Sequence, residues 1–150
     1  MSDPGPRTVR EAALDVLGRL GLATVPIARA VGYALARLDR RVVVVVGEGA
    51  AQYAVHSLWT AGRHNLPVTF VIPDNSGYLS LKYYLQDHES WAAGYDLGGL
   101  DVALIARGFG VRAETVGTPE GLRQALRDAL GADGPVLLDV KVADPGLVSV

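Results

Sequence analysis

Five consecutive valines, Val42–Val46, constrain this chain more than any other stretch. Branched side chains crowd a helix, and a run without a single polar residue leaves no face for water. It reads as a strand covered on both sides, as in a parallel sheet between helix layers. Gly47-Glu48-Gly49 stops the run. Ala50 to His64 then reads as a helix with Ala51, Val55, Leu58 and Trp59 inward. Pro67 opens a second apolar run, Val68 to Ile72, which Pro73-Asp74-Asn75-Ser76-Gly77 closes with strong turn residues. Two strand-then-helix units therefore point the same way.

The remaining chain continues the alternation. Thr8 caps an expected helix to Leu20, and a second begins after Pro26, with Ile27, Ala30, Val31, Ala34, Leu35 and Leu38 on one face. Arg29, Arg37, Asp39, Arg40 and Arg41 lie off that face or beyond its end. A short helix is expected from Tyr78 to Leu85 and a loop from Gln86 to Gly99. Then come a helix capped by Asp101 running to Arg107, a strand Val111–Thr115, a helix Pro119–Leu130 and a strand Val136–Val142. This order predicts an α/β fold of three layers, α/β/α, around a mostly parallel sheet. At 150 residues, one domain spanning 1–150 is expected.

The balance of 14 Lys and Arg against 16 Asp and Glu lacks the basic footprint of a nucleic-acid binder. No stretch approaches the roughly 18 apolar residues needed to span a bilayer, and the N-terminus does not read as a secretory signal. The absence of cysteine rules out thiolate metal sites and cysteine nucleophiles, and suits a cytoplasmic location. Counting glycine but not tyrosine, about 57% of the chain is apolar, against roughly 45–50% in soluble domains. The excess predicts a face buried against another protein.

Ligands of parallel sheets bind beyond the carboxyl ends of the strands, and two loops, 47–49 and 74–77, fall there. Glycines permit close approach of backbone to ligand. The amides of Gly49, Ala50 and Ala51, with a helix dipole behind them, favour a phosphate. Glu48 would repel a bare phosphate, and magnesium resolves that conflict, since it takes carboxylate and phosphate oxygens together. Asn75 can add an amide oxygen and Gly77 a carbonyl. Gly-Glu-Gly alone recurs by chance and Asp-Asn-Ser-Gly alone is an ordinary turn, so their combination after two apolar strands carries the weight.

Gly47-Glu48-Gly49, 24 residues, then Asp74-Asn75 resembles the magnesium and diphosphate motif of thiamine diphosphate enzymes, Gly-Asp-Gly, about 24 to 27 residues, Asn-Asn. The runs GEGAAQYAVHSLWTAGRHNLPVTFVIPDNSGYLSLKYY, GLDVALIARGFGVRAETV and GPVLLDVKV are similar to the C-terminal cofactor domain of benzoylformate decarboxylase and its relatives among 2-oxo acid decarboxylases and acetolactate synthases. The likeness covers roughly Val31 to Val142. It implies the thiamine diphosphate-binding fold, with Glu48, Asn75 and the Gly77 carbonyl as magnesium ligands. It also implies Gly47, Gly49 and Ala50 at the diphosphate, with Tyr78 and Leu81 lining the cofactor and substrate pocket. No catalytic residue falls within this stretch.

Three departures from the family pattern stand out. Glu48 is one methylene longer than the usual aspartate, so the loop must retreat or a water intervene. Asp74 replaces the first asparagine, adding charge or capping the turn. The helix Thr8–Leu20 runs almost directly into Leu22-Ala23-Thr24-Val25-Pro26, where relatives have several tens of residues more, including the apolar residue that bends the cofactor. The resemblance also implies a glutamate from a separate pyrimidine-binding domain, which protonates the cofactor's ring and drives ylide formation. The chain has no room for that domain.

Other candidates are weaker. His56, His64 and His88 lack close metal-ligand spacing. Trp59, Tyr83 and Tyr84 read as core or interface, and Ser57, Ser76 and Ser80 have no evident base. Gly108-Phe109-Gly110 reads as a helix stop. A dinucleotide site, with Asp74 as the ribose acid, is opposed by Gln52 at the third glycine position. The expected function is therefore a thiamine diphosphate- and magnesium-binding subunit of a split 2-oxo acid decarboxylase or carboligase. It would need a pyrimidine-domain chain or a homo-oligomer and act on a small 2-oxo acid. The alternative is a degenerate relative with an assembly or regulatory role.

Overall fold

The structure is a computed structural model that describes residues 27–78 and 94–142. Its elements are α1 (Ile27–Ala36), β1 (Val42–Val45), α2 (Glu48–Ala51), a 3-10 turn (Gln52–Ala54), α3 (Ser57–Arg63), β2 (Val68–Asp74), α4 (Val102–Gly108), β3 (Arg112–Val116), α5 (Pro119–Leu130) and β4 (Val136–Lys141). The expected helices at 8–20 and 78–85, and Leu81, lie outside the described residues.

All four strands are parallel, in the order β1-β2-β4-β3. The sheet is covered on both faces, as the valine run requires. Val44 and Val46 join Phe70, Ile72 and Leu137 under α1, α3 and α4, through Ile27, Ala30, Val31, Leu58, Ala61, Val102 and Ala106. Val43 turns the other way, with Val71, Leu138 and Val140 against Leu122, Ala125, Leu126 and Ala129 of α5. This is the expected three-layer α/β/α arrangement. Helix starts obey the local chemistry: Asp101 Oδ1 accepts from Leu104 N at 2.7 Å, and Thr118 Oγ1 accepts from Gly121 N at 3.1 Å with Pro119 opening α5.

Several boundaries differ from expectation. β1 ends at Val45, although Val46 N still donates to Val71 O at 3.1 Å. β3 begins and ends one residue later than expected, and β4 ends one earlier. β2 runs through Pro73 to Asp74 instead of stopping at Ile72. Parallel strands address alternate neighbours with alternate residues. Val71 faces β1, so Pro73 also faces that side, where β1 has already ended and no donor is needed.

The expected continuous helix from Ala50 to His64 is broken into α2, the 3-10 turn and α3. Bonds of the i to i−3 kind, Leu58 N to Val55 O at 3.0 Å and Trp59 N to His56 O at 3.1 Å, tighten the joint and shift the phase of α3. Leu58 and Ala61 then face inward, while Trp59 is 55% exposed, not inward as expected, and Val55 is half-buried. α1 is likewise shorter than its apolar pattern. Leu35 and Leu38 are exposed, the latter at 66%, because the buried face is already filled by Ile27, Ala30, Val31 and Ala34.

At the end of the sheet where the strands begin, Arg41 ties three elements together. Its guanidinium donates to Thr69 Oγ1 at 3.1 Å, to Gly134 O at 3.2 Å and to Ala132 O. On the helical layer, α3 approaches the turn after α4 so closely that a Cβ at Gly62 would lie 2.5 Å from Phe109 O. Gly62→Ala should therefore lower stability by about 1–3 kcal/mol, since backbone has to move. The same change at Gly108, which has nothing within 4 Å, should be neutral or stabilising by up to about 1 kcal/mol. Urea unfolding of both variants checks the contrast.

Candidate functional site

The carboxyl ends of β1 and β2 carry the two loops singled out in the sequence. Adjacent strands in register, Val45 beside Val71, deliver them side by side. Gly47 precedes α2 in extended conformation, and Glu48 is the first residue of the helix. From there its side chain crosses to the second loop, where Oε1 accepts from Gly77 N at 2.8 Å. Asn75 Oδ1 accepts from the same N–H at 3.2 Å, so the two candidate ligand oxygens converge on one amide. Gly77 is itself held from the far side, through a bridge to Asp96 flanked by Tyr78 N to Tyr95 O and Leu97 N to Ser76 O, both 2.8 Å.

Glu48 is 3% exposed and has no ion-pair partner among the described residues. Burial pushes its carboxyl above the ordinary range. The Gly77 amide opposes that shift, and the nearby Asp74 charge adds to it. A carboxylate in this position lacks a counter-charge among the described residues. With Asn75 and the Gly77 carbonyl it forms a set of hard oxygen donors on two adjoining loops, the chemistry that magnesium takes. The donor set fits that ion.

The phosphate side of the site is narrower than expected. Ala51 N is used within α2, donating to Gly47 O at 2.9 Å, which leaves the Gly49 and Ala50 amides ahead of the first helical bond. α2 is only four residues long before the 3-10 turn, so free amides rather than a long helix dipole supply the positive potential. Tyr78 lies directly on Gly49: a Cβ there would meet the ring at 2.5 Å. The glycine is thus required by its neighbour's side chain as well as by the turn. His56 and His64 are exposed, and among the described residues no group of three acidic or histidine side chains forms a metal cluster.

Sequence reasoning missed the other half of the rim. Asp74 does not stand free. Its Oδ1 accepts from Ser76 N at 2.7 Å, and its Oδ2 is paired with Lys141 Nζ. Lys141 also reaches Asp139 Oδ2 at 3.0 Å, and Thr115 Oγ1 donates to that oxygen at 3.1 Å. Burial works to raise both carboxyls. The Lys141 and Ser76 hydrogen bonds nevertheless hold Asp74 below its ordinary range, whereas Asp139 stays above it. With both oxygens engaged, Asp74 is poorly placed to take a ribose hydroxyl, which removes the main support for a dinucleotide. Lys141 and Asp139 two apart on the last strand were the available signal, because that spacing puts them on one face.

The raised Glu48 carboxyl has a definite sign in stability. Below its unfolded value, about 4.3, both states are protonated and Glu48 costs nothing. As pH rises through the raised folded value, the native state is penalised. Glu48→Gln keeps an acceptor for Gly77 N and removes the charge. Without added metal it should resist urea better than the parent at pH 7 to 8, with the advantage vanishing toward pH 4. Unfolding curves across that range check it.

Comparison with known proteins identifies the family and agrees with the fold. Residues 7–140 match the sequence model of the thiamine pyrophosphate enzyme C-terminal TPP-binding domain. Benzoylformate decarboxylase of Pseudomonas aeruginosa is 42% identical over 112 residues, 74% of this chain and 21% of that protein. A thiamine diphosphate-dependent 4-hydroxybenzoylformate decarboxylase of Rhodococcus jostii superposes with a TM-score of 0.68 at 36% identity, over 76% of this chain and 21% of its own. Benzoylformate decarboxylase of Polynucleobacter necessarius does so with 0.73 at 29% identity, over 78% and 23%. The chain thus spans about a fifth of the length of these relatives. Two strand-end loops tied by one carboxylate, on a parallel sheet of this order, and a match over nearly the whole chain place it in the family of thiamine pyrophosphate enzyme C-terminal TPP-binding domains.

Proposed function

We propose that residues 1–150 act as a single thiamine diphosphate- and magnesium-binding domain, the cofactor half of a 2-oxo acid decarboxylase or carboligase of the benzoylformate decarboxylase kind. The observation that carries this reading is the buried Glu48 carboxylate, without a counter-charge among the described residues, converging with Asn75 on the Gly77 amide. Glu48, Asn75 and the Gly77 carbonyl would hold the metal. The Gly49 and Ala50 amides would hold the diphosphate, with Gly47 permitting close approach. Tyr78, whose ring covers Gly49, would shield that loop from water on one side and, with Leu81, line the pocket.

Thiamine diphosphate, when bound, supplies the electron sink for loss of carbon dioxide from a 2-oxo acid. The chain's own part is to orient and neutralise the diphosphate. The pyrimidine-side glutamate, in this proposal, comes from a partner chain. A degenerate assembly subunit is the competing reading, and the same measurement separates the two.

Calorimetric titration of the chain with thiamine diphosphate should give binding that requires magnesium and is lost in Glu48→Ala. Binding heat indifferent to both the metal and the substitution would refute the assigned site. Absence of any binding, in a protein whose native mass shows no partner, would favour the degenerate relative.

A further inference from the structure

Among the described residues, one cluster at the rim is left unused by the site as assigned: Lys141, Asp74, Asp139 and Thr115. Three features set it apart. Asp74 and Asp139 are 3% and 1% exposed, and Lys141 is the cation joined to both. The Asp139 Oδ1 atom is buried and has no hydrogen-bond partner among the described residues. Asp74 divides its carboxylate between two tasks, one oxygen on Lys141 and the other on Ser76 N, the first amide of the turn that carries Asn75 and Gly77. The backbone adds a second tie at the same place, Val142 N donating to Asp74 O at 2.9 Å.

We infer that Lys141 is a positioning residue for the rim turn, acting through Asp74. The family motif has a neutral asparagine where this chain has Asp74. An asparagine needs no counter-charge to cap the turn, whereas a buried aspartate does. Asp74 and Lys141 are paired in register across β2 and β4, so the cation sits beside the residue that needs it. With Lys141 holding one oxygen of Asp74, the other is placed to grip Ser76 N. Ser76 is then held in the left-handed region at φ 60, and the chain leaves it directed so that Gly77 N meets both Glu48 and Asn75. Without Lys141, Asp74 and Asp139 stay buried without the cation that joins them, and the tie from Asp74 to Ser76 N is weakened.

The consequence for cofactor affinity rests on the function proposed above; the consequence for the turn does not. The test is amide hydrogen exchange by NMR on the whole chain without cofactor, for the parent and Lys141 variants. Lys141→Met should speed exchange at Ser76 and Gly77 by roughly tenfold, the worth of one charge-assisted hydrogen bond, and Lys141→Arg should not. The double variants locate the route. Asp74→Asn with Lys141→Met should protect Ser76 as well as Asp74→Asn alone. Asp139→Asn with Lys141→Met should remain less protected than Asp139→Asn alone. These doubles decide the question even if Lys141→Met does not fold.

Unchanged protection in Lys141→Met, or rescue by Asp139→Asn and not by Asp74→Asn, overturns the inference. In parallel, magnesium-dependent titration with thiamine diphosphate should weaken roughly tenfold in Lys141→Met and recover with Asp74→Asn. A parent chain that binds no cofactor would sink the functional reading, while the exchange result would still judge Lys141.

Discussion

The hydrogen bond from Gly77 N to Glu48 Oε1 joins two loops that nothing in the sheet ladder holds together. β1 and β2 are bonded up to Val46 and Val71, and beyond that point their chains part, one into α2 and the other on to Asp74. A side chain has to span the gap, and it must come from the first residue of α2 if it is to reach the second loop. The longer glutamate makes that crossing as a bond to backbone, so the extra methylene is taken up between the loops. Tyr78 closes the same gap from the other side by resting on Gly49. The metal-binding and phosphate-binding parts of the candidate site are thereby mechanically one unit.

The two ends of the sheet are built for different tasks. Where the strands begin, Arg41 satisfies Thr69 and the carbonyls of Ala132 and Gly134, neutral acceptors with no chemistry to perform. Where they end, three carboxylates, Glu48, Asp74 and Asp139, lie buried with one lysine among them, and a serine holds a positive φ that disfavours any residue with a Cβ by about 1–2 kcal/mol. Buried carboxylates collect at one rim, the same rim where parallel sheets bind their ligands.

The legible and the hidden parts of the sequence have one physical origin. The valine run could only be a strand covered twice, and the helix from Pro119 to Leu130 was legible as well, because such signals are local. Trp59 was misjudged because an apolar period assumes constant phase, and the 3-10 turn at Gln52–Ala54 changes it without any glycine or proline to mark the spot. Pro73 looked like a strand end because its missing donor matters only if a neighbour faces it, and that depends on where β1 stops. Arg41 looked like a surface charge after a helix. Its partners lie 28 and more than 90 residues away, which no local pattern reveals. The Lys141 tie to Asp74 was hidden in the same way, since Asp74 is distant in sequence and adjacent only through the β2–β4 register, although the spacing of Asp139 and Lys141 was a local signal.

The burial of Glu48 also bears on whether this chain is a working binding domain or a relic. An ionised carboxylate in a dry position is a standing cost, and a neutral or apolar residue of similar size relieves it. A chain that keeps the fold only for assembly has no need of that charge, and losing it would be neutral or stabilising. Asp74 differs in kind, because Lys141 compensates it and its loss would free a turn. The site therefore holds one acid whose charge Lys141 compensates and one, Glu48, whose hydrogen bond the fold uses but whose charge no described residue offsets. In the proposed function the second has a use: a divalent cation between Glu48 and a pyrophosphate would convert the penalty of burial into affinity, since the same low-dielectric surroundings that disfavour a lone carboxylate strengthen its attraction to a metal.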